Sequence, residues 1–109
     1  MLTQEEILQK ADELGKLHGC KVHPLVFVDF EDKEKQVIGY LKEPPRIVKL
    51  RYMDKAILGA ASAGAEVIDE YLIKDASDAR IVNDDVYNLG AIQELQSVIT
   101  MAVNQFKKK

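Results

Sequence analysis

The sequence has no tryptophan, one cysteine and only 6% aromatic residues among its 109 positions. So few aromatics leave little from which to build a base-stacking platform for single-stranded nucleic acid. The lone Cys20 has no partner for an internal disulfide, so a reducing compartment is expected. No stretch approaches the ~18 apolar residues of a membrane span. The opening residues Met1-Leu2-Thr3-Gln4-Glu5-Glu6 are acidic and polar, unlike the cationic start of a signal peptide, so neither membrane nor secretion is expected. Positive charge is not in excess either. A net charge of −3 gives no electrostatic reason to expect nucleic acid as the partner.

Against these absences stand 47% apolar and 30% charged residues, the balance of an ordinary globule with one hydrophobic core. The length fits a single domain over 1–109. The most informative stretch is Tyr40-Leu41-Lys42-Glu43-Pro44-Pro45-Arg46. Two adjacent prolines cannot continue a strand ladder, and Pro45 suits the first turn of a helix. The junction therefore separates a β part from a helical part.

Before it, Thr3 and Glu6 have the spacing of a capping box, with Leu2 and Ile7 placed as a hydrophobic staple. Ile7, Leu8, Ala11, Leu14 and Leu17 follow at helical spacing, and Gly19 ends the helix. Residues 21–30 read as a strand, with Val26, Val28 and Phe30 on one side and Leu25, Phe27 and Asp29 on the other. A charged turn over 31–35 returns the chain as a second strand over 36–41, an antiparallel hairpin. An isolated hairpin is marginal in water, so helices, another strand or a second chain must complete it.

After the junction, Ile47, Leu50, Met53 or Asp54, Ile57 and Leu58, then Val67, Ile68, Tyr71 and Leu72, predict helix. Gly59 and Gly64 bracket a small-residue stretch that predicts a bend between two helices or a close-packing face. Residues 74–79 read as a polar loop and Arg80-Ile81-Val82 as a short extended piece. Asn83 or Asp84 caps a last helix, whose stripe runs through Ile92, Leu95, Ile99, Ala102 and Phe106. The expected fold class is α+β, a hairpin packed on three or four helices.

No constellation announces a chemistry. His18, Cys20 and His23 fall short of the four ligands of a structural zinc site, and Cys20 has no evident base with an orienting group. The 59–64 stretch lacks the Lys-Ser/Thr pair of a phosphate loop. The many carboxylates do not follow calcium-loop spacing. The densest basic region, Lys42, Arg46, Lys49, Arg51 and Lys55, is interleaved with Glu43 and Asp54 and reads as a solvated face. No enzyme, metal or cofactor is expected.

Across roughly 22–106 the layout resembles the small tail assembly chaperones of long-tailed bacteriophages. The resemblance rests on the hairpin ending in Tyr40-Leu41-Lys42-Glu43-Pro44-Pro45-Arg46, on Glu66-Val67-Ile68-Asp69-Glu70-Tyr71-Leu72, and on Ile81-Val82-Asn83-Asp84-Asp85 leading into the last helix. The alanine-glycine stretch over 59–65 and the pronounced first helix depart from it. The resemblance implies a non-catalytic protein of the host cytoplasm. It would coat the tape-measure protein before the tail tube polymerises, with the tail-tube protein as a further candidate partner. It also implies a longer frameshifted product, for which Lys107, Lys108 and Lys109 would supply an adenine-rich slippage site; the same lysines complement a helix C-terminus. For partner contact the expected residues are Ile92, Leu95, Ile99 and Phe106 as an apolar docking stripe, with Tyr40 and Arg46 orienting the partner. Two other classes stay open, a homo-oligomeric structural or adaptor module and a nucleic-acid-binding accessory protein using 42–55.

Overall fold

A computed structural model describes residues 2–99. The chain runs α1 (Gln4–His18), β1 (Val22–Val28), β2 (Gln36–Lys42), α2 (Arg46–Tyr71), a 3₁₀ turn (Lys74–Ala76), α3 (Arg80–Asn83) and α4 (Asp85–Val98). This is the expected α+β class, an antiparallel hairpin packed against four helices.

Local chemistry sets the element ends. The Thr3 side chain accepts from the Glu6 N–H while Glu6 accepts from the Thr3 N–H, a complete capping box. Gly19 closes α1 at φ 69°, a left-handed conformation that costs glycine little. In the hairpin Leu25 faces Gly39 and Phe27 faces Val37. Side-chain alternation then places Leu25, Phe27, Val37 and Leu41 on one face, and Val22, Val26, Ile38 and Tyr40 on the other.

The two faces bury different helices. The first joins Val48, Tyr52, Val67, Ile68, Ile81, Tyr87, Ile92 and Leu95 in the main core. The second is covered by α1 through Ile7 and Ala11, which meet Val22, Tyr40 and Ile73. The far edge of β2 is closed by the segment after α2. The Ile73 N–H donates to the Tyr40 carbonyl and the Asp78 N–H to the Ile38 carbonyl, each at 2.8 Å. Among the described residues, helices and this returning segment, rather than a third strand, complete the hairpin.

The expected bend in α2 is present. Gly59 leaves helical geometry at φ −174°, ψ 93°. Lys55 and Glu66 nonetheless meet at 2.8 Å. Residues eleven apart on a straight helix are separated by about 16 Å along the axis, so α2 folds back on itself. Residues 46–58 and 60–71 thus form two antiparallel arms, with Val48, Tyr52, Ala63 and Val67 lining the narrow cleft between them.

One expectation is corrected: Arg80-Ile81-Val82 is not extended but belongs to α3. The Asp78 carboxylate accepts from the Arg80 N–H at 3.0 Å, and the Ile81 N–H donates to the Asp78 carbonyl at 3.1 Å. The aspartate's own turn starts the helix. Asp84 caps α4 as expected, accepting from the Val86 N–H at 3.0 Å. No described helix is long and apolar enough to cross a membrane.

Candidate docking face

The first arm of α2 carries two apolar stripes on opposite sides. Val48 and Tyr52 are buried and Ala56 is half-buried, all turned to the core. Ile47, Leu50, Met53, Ile57 and Leu58 are exposed by 62%, 44%, 36%, 85% and 94%. At about 100° per residue these five side chains share an arc of about 140°. The stripe expected from Ile47, Leu50, Ile57 and Leu58 is therefore real, but it faces outward. Scattered exposed leucines need no explanation, whereas a continuous helix face of this kind marks an interaction surface.

The arm is anchored at its start. Pro45 precedes the first turn, and its carbonyl accepts from the N–H groups of Val48 and Lys49 at 3.0 and 3.1 Å. The Glu43 carboxylate bridges His23 Nε2 and Lys49 Nζ, tying β1 to α2. Burial opposes the ionisation of Glu43, but the bonds from Lys49 and His23 outweigh it and hold its pKa below the ordinary value.

Charges border the outward stripe. Lys49 and Lys55 are held by Glu43 and Glu66, and the Lys42 ammonium lies 5.9 Å from the centre of the Tyr71 ring. Arg46, Arg51 and Asp54 are exposed and form no ion pair among the described residues. The basic region is thus dispersed into internal pairs, leaving Arg46 and Asp54 within the arc of the apolar face and Arg51 at its rim.

Of the described residues expected to contact a partner, only Arg46 lies on this surface. Leu95 is 0% exposed, and Ile92 is buried beside it against α2. Ile99 caps α4 and is half-buried against the same core. Tyr40 is buried beneath α1, where burial raises its phenol pKa and the Lys10 ammonium stands 5.5 Å from the ring centre. These positions build the fold instead of a docking stripe, because α4 is the helix that α2 and β1 close over. Phe106 lies outside the described residues, as do Ala102 and the three terminal lysines.

A second feature went unread in the sequence. Asp29, on the core side of the hairpin, is buried and accepts from Arg80 Nη1 at 2.9 Å. Arg80 also donates Nε and Nη2 to Asp78, and its guanidinium lies 5.5 Å from the centre of the Tyr87 ring. The Arg80 bonds hold both carboxyls below their ordinary pKa and raise that of the arginine. The signal was available: strand alternation puts an acid on the side of Leu25 and Phe27, and a buried acid needs a cation. This cluster joins the hairpin to α3.

Among the described residues no group of three or more His, Cys, Asp or Glu is arranged to hold a metal ion. The arrangement offers shape, apolar area and bordering charge, the elements of recognition. No protein-family model, curated protein or solved structure matches this chain.

Proposed function

We propose that the chain is a non-catalytic assembly chaperone of the tailed-phage type, working in the host cytoplasm on a tape-measure protein. The observation that carries the reading is the outward face of 46–58, where Ile47, Leu50, Met53, Ile57 and Leu58 stand exposed on a helix already anchored from behind. A face with anchors at i, i+3, i+6, i+10 and i+11 suits an apolar helical segment laid along it. The client segment would carry an apolar stripe bordered by acids for Arg46 and Arg51 and a base for Asp54. The resemblance of the sequence layout to that of tail assembly chaperones suggests the biological setting. The partner surface moves accordingly from the last helix to α2, with Arg46 kept as an orienting residue.

The test is to sequence the DNA flanking this gene and to co-express the chain with any long helical protein encoded there. The wild-type chain should co-purify with it and keep it soluble, while Ile57→Glu and Leu58→Glu should lose capture with unchanged circular dichroism. Absence of such a neighbouring gene, or capture indifferent to both substitutions, overturns the reading.

A further inference from the structure

Asp54 lies inside the apolar stripe, between Leu50 and Leu58 on the helix surface, and Arg51 stands on its rim. Neither has an ion-pair partner among the described residues. Covering this stripe with an apolar surface alone would bury the Asp54 carboxylate unpaired, which is strongly unfavourable. Whatever covers the face must bring a cation to Asp54 and an acid to Arg51.

A second copy of the chain brings both. When two such helices pack antiparallel about a twofold axis, positions whose numbers sum to about 105 oppose one another. Arg51 of each copy then meets Asp54 of the other, so the ion pair forms twice. In the same register Ile47 opposes Leu58, and Leu50 and Met53 gather about the axis. The lone acid and its neighbouring arginine are thus paired by a single symmetry operation.

We infer that, without a client, the outward face of 46–58 is covered by the same face of a second copy in an antiparallel, isologous dimer. The inference deepens the docking-face reading and rests on it, since copy and client compete for one surface. The helix face is about 20 Å long, less than a stable interface of about 800 Å² per partner requires. The pairing is therefore weak and exchangeable, as a cover that a client displaces has to be.

Sedimentation of the full chain over a roughly hundredfold concentration range should show a monomer–dimer equilibrium. Arg51→Glu and Asp54→Arg should each weaken the dimer about tenfold or more, and the double variant R51E/D54R should restore it to within about threefold. Both positions of change are exposed, so circular dichroism should stay that of the wild type. A monomer at every concentration, or a dimer insensitive to the single swaps, or no rescue, overturns the inference. The same proteins in the capture assay separate the two readings. Client capture without any dimer overturns only the self-pairing, whereas a rescued dimer that captures no client supports the pairing and overturns the chaperone reading.

Discussion

Gly64 lies so close to Ile92 that a Cβ built on the glycine would stand 2.6 Å from Ile92 Cγ2 and 3.4 Å from Ile92 Cβ. The second arm of α2 crosses α4 at this point, and the contact admits no side chain. Ile92 is branched at its Cβ and buried, so its Cγ2 cannot swing aside without moving the helix.

Gly64→Ala sets two effects against each other. Replacing a helical glycine gains about 1 kcal/mol of propensity, while overpacking costs about 1–3 kcal/mol. The net expectation is destabilisation, read as a lower urea midpoint with unchanged slope. Gly59→Ala is the control. Its backbone is extended and nothing lies within 4 Å of an added Cβ, so its midpoint should move little. Equal effects at the two glycines would refute the close-packing assignment.

Leu95 and Leu58 make the second comparison. Leu95 is fully buried and Leu58 nearly fully exposed. Leu95→Ala should cost about 2–5 kcal/mol as a cavity opens between α4, α2 and the hairpin. Leu58→Ala should stay within about 0.5 kcal/mol of wild type. Chemical denaturation of the two variants side by side decides it. A comparable loss at Leu58 would mean that the monomer itself depends on the outward face.

These residues also mark what can and cannot be read from the sequence. The Thr3–Glu6 box, the Asp84 cap and the Gly19 stop are contacts within a few residues, so spacing alone reveals them. The hairpin and its alternation are equally local. What covers an apolar stripe is not. α2 has two stripes, and the one built of Ile, Leu and Met faces out, because Tyr52 and Val48 fit against Ala63 and Val67 once the helix folds back. The α4 stripe was legible as apolar but not as core, since its cover comes from α2 and β1, distant in sequence. Residues 80–82 look extended by composition, and only Asp78 turning the chain makes them helical.

The cap at Asp84 gives a third prediction. Its carboxylate satisfies the Val86 N–H at the start of α4, the helix that carries Tyr87, Ala91, Ile92 and Leu95 into the core. Asp84→Ala should lower stability by about 1 kcal/mol, and Asp84→Asn by much less, because asparagine caps nearly as well. Urea midpoints for both variants test this. A similar loss in both would assign the effect to the charge at the helix end, not to the hydrogen bond.

The Asp29–Arg80–Asp78 cluster predicts the acid limb of stability. Arg80 holds both carboxyls below their ordinary pKa in the folded chain, and the Glu31 N–H adds a second bond to Asp29. Glu43, held by Lys49 and His23, shifts the same way despite its burial. The folded state therefore binds fewer protons than the unfolded one as these groups titrate. Their stabilisation is complete above the ordinary carboxylate pKa of about 4 and is lost as pH falls through the lower folded values. Asp29→Asn keeps the shape but removes one of these linked charges. It should be less stable than wild type near neutrality and lose less further stability on acidification, so the two curves converge at low pH. Thermal unfolding followed from about pH 7 to about pH 2 measures both curves. Parallel curves across that window would show that Asp29 titrates alike in the folded and unfolded chains, and that Arg80 does not hold it.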